Sequence, residues 1–261
     1  MNTIELKFSK EDLDYRTKES YKSLRTNIDF SGEDNTALVF TSCVPNEGKS
    51  TVSFRLAMSM AEAGKKVCYV DADLRKSVFA GRYRVRGEIW GLTHYLSSHA
   101  EIADIVYETN IPKLFTVIAG PVPPNPTELL DGKRFDHLIK ELKDKFDYVI
   151  LDCPPIGSVI DAAVVAKHAD AVVLTVSVNS VSYRFVQSAK DQMEKAGCKI
   201  LGVVLNKVDM QQNKYYGKYY GKYYGKYYGN YGAYGDYGHE EKTKDVELNE
   251  KFKLIDLGDE D

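Results

Sequence analysis

The chain has 261 residues, of which 43% are hydrophobic and 28% are charged, and its formal net charge is −3. This length and apolar fraction exclude a miniprotein that depends on staples and a chain that is disordered throughout. The nearly balanced charge argues against a nucleic-acid partner, because general nucleic-acid binders are usually basic. The cysteines lack the spacing of metal or redox sites, so we expect reduced thiols in a cytoplasmic protein. They are Cys43, Cys68, Cys153 and Cys198.

The N-terminal residues, MNTIELKFSKED, contain no apolar run and do not resemble a signal peptide. The longest strongly apolar stretch, Ala171 to Val178, is far shorter than the roughly 20 residues that span a bilayer. We therefore expect any association with a membrane to depend on another protein.

Short β-branched runs alternate with helical patterns over residues 1–209. The predicted helices are roughly Lys10–Ile28, then Thr51–Ala63, Lys133–Lys145, Asp161–Lys167 and Ser182–Ala196. The predicted strands are Ala37–Ser42, Lys66–Val70, Leu114–Ala119, Tyr148–Asp152, Ala171–Val176 and Ile200–Asn206. The strands are almost continuously apolar, which is typical of strands that are buried on both faces. The alternation predicts an α/β fold with a mostly parallel sheet, helices on both faces, and ligands at the carboxyl ends of the strands.

The first predicted strand leads into Ser42-Cys-Val-Pro-Asn-Glu-Gly-Lys-Ser-Thr51 and then into a helix. This segment is a phosphate-binding P-loop in which Cys43 replaces the usual first glycine, and it makes the fold class P-loop NTPase-like. Backbone N–H groups bind phosphate oxygens, Lys49 contacts the β- and γ-phosphates, and Ser50 is a ligand of Mg²⁺. The predicted nucleotide-binding residues of the loop are Pro45, Asn46, Glu47, Gly48, Lys49, Ser50 and Thr51.

Aspartates stand where two further predicted strands end, with Asp71 after one and Asp152 after the other. A carboxylate at such a position is costly unless a cation pairs with it, and nucleotide-bound Mg²⁺ supplies that cation. Taken alone, each aspartate could equally cap a helix or lie in a surface turn. Next to a P-loop, they predict a metal site formed by Ser50, Asp71 and Asp152.

Asp73 follows Asp71 by two residues, and its role is open. One of these two carboxylates could serve the metal or an attacking hydroxyl, while the other orients Lys49 or Arg75. The predicted catalytic residues are Lys49, Asp71, Asp73 and Asp152.

The last predicted strand is followed by Asn206-Lys-Val-Asp209, which resembles the Asn-Lys-x-Asp motif of GTPases. A GTPase would also carry Asp-x-x-Gly where this chain has Asp152-Cys-Pro-Pro155. We therefore predict ATP with Mg²⁺ as the nucleotide and retain Asn206 as a contact to the edge of the base.

Residues 210–238 are rich in tyrosine and glycine, with 11 of the 19 tyrosines of the chain between Tyr215 and Tyr237. Four copies of Lys-Tyr-Tyr-Gly run from Lys214 to Gly229. Frequent glycines and the lack of aliphatic residues predict a flexible, disordered tail. Its net charge is +3, whereas the acidic segment 239–261 that follows carries −5.

Together these motifs resemble the bacterial tyrosine kinases (BY-kinases) of capsular and exopolysaccharide biosynthesis, in the stand-alone cytoplasmic form of Firmicutes. The P-loop, the tyrosine cluster and the Val70-Asp-x-Asp-x-Arg75 motif, called Walker A′ in that family, carry the resemblance from about Glu19 onwards. It implies a kinase domain over residues 1–209 that autophosphorylates the tail and regulates polysaccharide synthesis and export. It implies Asp71 as the base or metal partner for the acceptor tyrosine, and Asp152 as the Walker B residue near Mg²⁺. The implied phosphoacceptors are Tyr215, Tyr216, Tyr219, Tyr220, Tyr223, Tyr224, Tyr227, Tyr228, Tyr231, Tyr234 and Tyr237.

The N-terminal helical segment 1–30 contains a sequence similar to the family's oligomerisation motif, Glu-x-x-Arg-x-x-Arg-x-Asn-Ile. The matching positions are Glu19, Lys22, Arg25 and Asn27, with lysine in place of the first arginine. Lysine keeps the charge but loses the bidentate fork, which would weaken a ring contact, and the same face could simply be solvated. The resemblance implies a ring-shaped homo-oligomer, an octamer, together with a transmembrane adaptor that activates the kinase. It also implies a phosphotyrosine phosphatase partner and a peripheral location at the inner membrane face.

Two other functions were weighed against a kinase. A ParA/MinD-type switch ATPase carries an extra lysine where this chain has Val44, and such ATPases often end in a basic amphipathic helix. The segment from Asp245 to Asp261 is acidic, and anionic lipids repel it. An adhesive tyrosine- and glycine-rich module would explain the tail but not the phosphate site. We therefore predict a kinase, with the switch ATPase as the alternative.

Overall fold

The computed structural model describes residues 2–7 and 15–208, which form one eight-stranded sheet with helices on both faces. The strands are β1 (Asn2–Ile4), β2 (Ala37–Ser42), β3 (Val67–Asp71), β4 (Tyr107–Thr109), β5 (Leu114–Val117), β6 (Tyr148–Asp152), β7 (Ala171–Ser177) and β8 (Ile200–Asn206). The helices are α1 (Tyr15–Asp29), α2 (Lys49–Glu62), α3 (Phe79–Arg82), α4 (Leu92–Leu96), α5 (Ile102–Ile105), α6 (Pro126–Leu130), α7 (Lys133–Lys145), α8 (Asp161–Ala166) and α9 (Tyr183–Lys195). The predicted tail 210–238, with all its acceptor tyrosines, and the acidic segment 239–261 lie outside the described residues.

The strand order across the sheet is β1-β4-β5-β3-β6-β2-β7-β8. Every neighbouring pair is parallel except β4 and β5, which are antiparallel. The predicted α/β fold with a mostly parallel sheet is therefore confirmed. This order places the three strands that carry the predicted site, β3, β6 and β2, side by side in the middle of the sheet.

Alternate side chains of the central strands enter two separate hydrophobic cores. On β2, Leu38 and Phe40 join the core under α1, α2 and α3, whereas Val39 joins the core under α4 to α9. Because successive side chains of a strand point to opposite faces, burial on both sides requires an apolar residue at nearly every position. This double burial explains the unbroken apolar runs of the central strands. The prediction is wrong for β8, which is the last strand of the sheet and leaves Val203 and Leu205 exposed.

The six predicted strands are all present, and the short elements were missed. β1, β4 and α3 to α6 are only three to five residues long, too short to show a hydrophobic period. Side chains from distant parts of the chain help to hold them, as where Asn110 bonds both backbone groups of Leu6. The predicted N-terminal helix begins at Tyr15 in the described part, and residues 8–14 lie outside it.

All four cysteines are buried free thiols, as predicted. Burial, together with the nearby Glu47 carboxylate, raises the pKa of Cys43 to about 11. Within the described residues, none of the helices combines the length and the apolar character needed to span a bilayer.

Candidate active site

The sheet brings the predicted carboxylates together. Asp71, the last residue of β3, is the register partner of Asp152, the last residue of β6. β2 pairs with the other side of β6, and the P-loop follows directly from β2. The P-loop and both carboxylates therefore lie at one edge of the sheet, where parallel α/β folds bind ligands.

The P-loop has the backbone shape of an anion-binding nest. Asn46 and Gly48 have left-handed φ angles of 67° and 94°, a region that asparagine and glycine adopt more readily than most residues. A Cβ atom on Gly48 would lie 2.1 Å from Nδ2 of Asn206, so a side chain there would displace Asn206 and strain the left-handed backbone. The N–H groups of Glu47 and Gly48 have no acceptor within the part of the chain that the structure describes. Backbone N–H groups in such a turn, ahead of a helix N-terminus, fit phosphate oxygens.

Lys49 lies between carboxylates at the first turn of α2. Its Nζ atom is 3.3 Å from Oδ2 of Asp73 and 3.4 Å from Oδ1 of Asp152, and it also contacts the Ser50 hydroxyl at 3.3 Å. Burial alone would lower the pKa of Lys49, but the charges of Asp152, Asp73 and Asp71 outweigh it and raise the pKa. Lys49 is therefore a charged ammonium that is held close to the ends of β3 and β6.

Asp71 and Asp152 are buried, and a single lysine lies close to both. Burial, followed by the charge of Asp152, raises the pKa of Asp71 to about 7, although a hydrogen bond from the Ser77 hydroxyl opposes the shift. Burial also raises the pKa of Asp152, against the opposing effect of Lys49. Buried negative charges this close together favour the binding of a cation, such as one that is bound to the phosphates of a nucleotide.

The oxygen donors of this edge fit Mg²⁺ held partly by a nucleotide. In residues 2–7 and 15–208, three or more His, Cys, Asp or Glu side chains nowhere form a group that could hold a metal alone. Mg²⁺ commonly takes one or two protein oxygens and completes its shell with phosphate oxygens and water. The hydroxyl of Ser50 and the carboxylates of Asp71 and Asp152 are donors of that kind.

The side chains of Asp73 and Arg75 contact different residues. β3 ends at Asp71, and the carboxylate of Asp73 beyond it accepts hydrogen bonds from Lys49 Nζ at 3.3 Å and from the Lys76 N–H group at 3.0 Å. Arg75 instead donates to both carboxylate oxygens of Asp161, at 2.6 and 3.0 Å, and to the Thr127 hydroxyl at 2.8 Å. Asp161 is fully buried. This network ties together the segments that follow β3, β5 and β6.

The sequence did not predict Asp161 or Thr127 as site residues. It also did not predict three residues beside the P-loop, which are Arg82, Ser177 and Ser180. Arg82 donates to the Thr51 hydroxyl at 2.9 Å. The buried carboxylate of Glu47 accepts hydrogen bonds from the Val44 and Ser177 N–H groups and from the Ser180 hydroxyl, at 2.9, 3.1 and 2.7 Å. Pro45 is exposed. Glu47 therefore anchors the loop to the end of β7, and no sequence motif distinguishes Arg82, Ser177 or Ser180.

Asn206 lies against the P-loop at the end of β8. Its Nδ2 atom donates to the Glu47 carbonyl at 2.8 Å, and the next residue, Lys207, donates from Nζ to the Asn46 carbonyl at 2.7 Å. Within the described chain, Oδ1 of Asn206 has no hydrogen-bond partner. An amide oxygen left in this state can accept a hydrogen bond from the amino group of adenine.

The residues of the predicted oligomer motif lie on α1. Glu19 and Lys22 form an ion pair within the helix, with 2.7 Å between their charged atoms. Arg25 donates to the Ser59 carbonyl of α2 at 2.8 Å, and Asn27 is exposed. Arg25 thus helps to hold α1 on the domain, and Lys22 and Asn27 are directed to the surface.

Comparisons with known proteins identify the family of the chain. Residues 46–197 match the AAA domain family AAA_31. The chain is 42% identical over 244 residues to tyrosine-protein kinase CpsD of Streptococcus agalactiae, an alignment that covers 94% of this chain and 100% of that protein. Among solved structures, the chimerical protein CapA2B2 has a TM-score of 0.72 and 32% identity, over 80% of this chain and 94% of that one. The kinase domain of the Escherichia coli tyrosine kinase ETK has a TM-score of 0.69 and 31% identity, over 74% and 77%.

Switch ATPases share the fold at a greater distance. MinD of Pyrococcus horikoshii, solved with Mg-ADP, has a TM-score of 0.56 and 25% identity, over 65% of this chain and 69% of that one. The tyrosine kinases match more of the chain, with higher identity and closer structure. The chain therefore belongs to the bacterial tyrosine-protein kinase family, the BY-kinases.

Proposed function

We propose that the chain is an ATP-dependent protein-tyrosine kinase that phosphorylates the tyrosines of residues 210–238. The observation that carries this proposal is the position of Lys49, between Asp73 and Asp152 and directly after a nest of backbone N–H groups. Phosphoryl transfer needs positioning and charge stabilisation more than covalent chemistry, and this arrangement supplies both. The 11 clustered tyrosines supply acceptors on the same chain.

The residues of the site divide the task between nucleotide and acceptor. Residues 45–51 bind the phosphates, Lys49 stabilises charge on the γ-phosphoryl group, and Asn206 contacts the base. Ser50, Asp71 and Asp152 would hold Mg²⁺, which would neutralise charge on the phosphates. The acceptor hydroxyl forms a new P–O bond as the bond to the ADP oxygen breaks. Asp71 orients that hydroxyl and takes its proton, while Asp73 holds Lys49 in place.

The direct test is mass spectrometry of phosphotyrosine after incubation with ATP and Mg²⁺. We expect phosphate mainly between Tyr215 and Tyr237, and deletion of residues 214–238 should remove most of it while ATP binding persists. The matched control is Lys49→Met in the full chain, which should bind and transfer poorly. Phosphate that remains mainly on Tyr15, Tyr21 or Tyr183 would contradict the tail assignment. ATP hydrolysis without phosphotyrosine would favour the alternative of a switch ATPase. The similarity to MinD is the reason to test for it.

We also propose that the kinase assembles into a ring, an octamer, through α1. Because Arg25 also contacts Ser59 in its own chain, Arg25→Ala disturbs both the helix packing and any interface. Lys22→Ala and Asn27→Ala change exposed side chains and give a cleaner test. Light scattering should show a smaller oligomer in these variants, with slower tail phosphorylation and unchanged nucleotide binding. A phosphorylation rate per chain that does not depend on protein concentration would contradict transfer between chains.

The wider setting follows from the family. We propose regulation of capsular or exopolysaccharide synthesis and export, activation by a transmembrane adaptor that holds the kinase at the inner membrane face, and reversal by a phosphotyrosine phosphatase. The similarity to CpsD supports this setting. Each phosphate adds about −1.5 to −2 charges, so modification would turn the +3 tail negative. Co-purification of the chain with the cytoplasmic segment of a membrane protein, tested with and without ATP, would check the adaptor.

A further inference from the structure

The end of β8 holds the P-loop from the side opposite to its N–H groups. Two consecutive residues, Asn206 and Lys207, donate to two consecutive P-loop carbonyls, those of Glu47 and Asn46, at 2.8 and 2.7 Å. Lys207 itself has a left-handed φ of 57°, a conformation that costs a residue other than glycine some free energy. The end of β8 therefore has an uncommon backbone conformation at the point where it makes these two contacts.

Peptide planarity links these carbonyls to the phosphate site. In a trans peptide unit the C=O and N–H groups point in opposite directions. The carbonyl of Asn46 shares its peptide unit with the N–H of Glu47, and the carbonyl of Glu47 shares its unit with the N–H of Gly48. A donor that fixes each carbonyl also fixes the direction of the paired N–H group. Both of those N–H groups lack an acceptor among the described residues.

We propose that Asn206 and Lys207 are positioning residues that aim the N–H groups of Glu47 and Gly48 at the phosphates of the nucleotide. This inference rests on the proposed nucleotide site and adds Lys207 to it. Asn206 donates through Nδ2, which leaves Oδ1 for the base, whereas Lys207 contacts the loop carbonyl alone. The two residues therefore differ in what their removal changes. Loss of Lys207 affects phosphate binding only, and loss of Asn206 affects phosphate and base binding together.

The second anchor of the loop supports this role. The carboxylate of Glu47 bonds Ser177 and Ser180 at the end of β7, so the same peptide region is held from two adjacent strands. Glu47 also closes the loop on itself through the Val44 N–H group. With the loop held from β7 and β8, the N–H groups are pre-organised, and binding phosphate requires little reordering.

The experiment is calorimetric titration of the full chain with Mg-ADP, Mg-GDP and adenosine. We expect Lys207→Ala to weaken Mg-ADP and Mg-GDP by the same factor, about fivefold, because the hydrogen bond to the Asn46 carbonyl is charged but exposed to solvent. Adenosine affinity should not change. Lys207→Gln retains a donor without the charge and should recover most of the affinity. Lys190→Ala, which removes an exposed lysine on α9, is the matched control and should bind as the unchanged chain does.

Several results would overturn the proposal. One is unchanged Mg-ADP affinity in Lys207→Ala. Another is a Lys207→Gln variant as weak as Lys207→Ala, which would show that the ammonium acts by its charge at a distance. A third is Asn206→Ala that loses the preference for Mg-ADP over Mg-GDP yet binds Mg-GDP as before, which would leave Asn206 a base contact only. If the unchanged chain binds no Mg-ADP, or Lys49→Met binds it equally well, the proposed function fails and the proposal fails with it. A normal Lys49 effect with no Lys207 effect defeats the proposal alone.

Discussion

Two carboxylate sites stand at opposite ends of the same sheet. At the amino ends of β2 and β7, Asp170 accepts hydrogen bonds from the Thr36 and Ala37 N–H groups, at 3.0 and 2.7 Å, and from Lys143 at 2.5 Å. At the carboxyl ends of β3 and β6, Asp71 and Asp152 lie side by side, and the Nζ atom of Lys49 is 3.4 Å from Oδ1 of Asp152.

The carboxylates of the two sites show opposite pKa shifts, although burial favours a raised pKa at both sites. Burial alone would raise the pKa of Asp170, but hydrogen bonds from Lys143, Ala37 and Thr36 outweigh it and lower the pKa. At the other end, burial prevails, and the pKa values of Asp71 and Asp152 are raised. Asp170 is satisfied by its own chain and therefore stabilises the fold. Asp71 and Asp152, together with Lys49 and Asp73, form what we call the active edge, and its carboxylates are left partly uncompensated, so a bound cation would stabilise them.

The largest expected effect is loss of phosphoryl transfer when a charged side chain of the active edge is replaced by a neutral one. Asp71→Asn, Asp152→Asn and Lys49→Met should each lower tyrosine phosphorylation by about 100-fold or more, because each removes charge at the reacting phosphoryl group. Asp71→Asn should at the same time raise the stability of the ligand-free protein by about 1 kcal/mol, since it removes a buried like-charge contact. Phosphotyrosine blots and thermal unfolding measure the two effects. Ordinary phosphotyrosine levels in any of the three variants would refute the site, and partial loss is expected for Asp73→Asn.

Arg75→Ala should give the largest loss of stability. It leaves the fully buried carboxylate of Asp161 without its cation, which typically costs about 3 kcal/mol in a protein interior. Because the Arg75 side chain is 39% exposed and solvent screens its charge, we expect a loss of about 2 kcal/mol in the free energy of unfolding, measured with urea. Adding Asp161→Asn to Arg75→Ala should recover part of that loss. A double variant that is less stable than Arg75→Ala alone would show that Asp161 stabilises the fold without its arginine.

Asp170→Asn tests the satisfied end of the sheet. Asparagine keeps one acceptor but loses the charge that pairs with Lys143, so we expect a loss of about 1 kcal/mol in the free energy of unfolding. Kinase activity at a temperature where both proteins are folded should not change. A large loss of activity in folded Asp170→Asn would break the division between a structural end and a functional end.

The smallest expected effect is a pH dependence at the same residue. The pKa of Asp170 is lower in the folded chain than its usual value, so its stabilising contribution is present above the unfolded pKa, near 3.9, and is lost as pH falls through the folded pKa. The stability difference between the unchanged chain and Asp170→Asn should therefore be constant near neutral pH and shrink below about pH 4. A difference that grows on acidification would contradict the hydrogen bonds assigned to this carboxylate.

The active edge shows how far sequence reasoning extends. The P-loop, Asp71 and Asp152 were predicted because a motif and two strand ends mark them, and parallel strands necessarily bring such ends together. The partners of Arg75 and Glu47 were not, because Asp161 and Ser180 are 86 and 133 residues away from them in sequence. Such contacts depend on packing that no local period encodes. The same reason explains why β1 and β4 were missed, whereas the long buried strands were found nearly to the residue.

The burial of all four thiols makes the protein ready for site-specific labelling. Burial raises the pKa of Cys43 and Cys153, and also that of Cys68 and Cys198, so the reactive thiolate form is scarce at neutral pH. A cysteine introduced at an exposed position such as Lys190 or Asn27 would react with a maleimide dye much faster than any native one. Fluorescent reporters could therefore be placed on α9 or α1 without first replacing the native cysteines, two of which lie directly beside the P-loop and the Walker B aspartate.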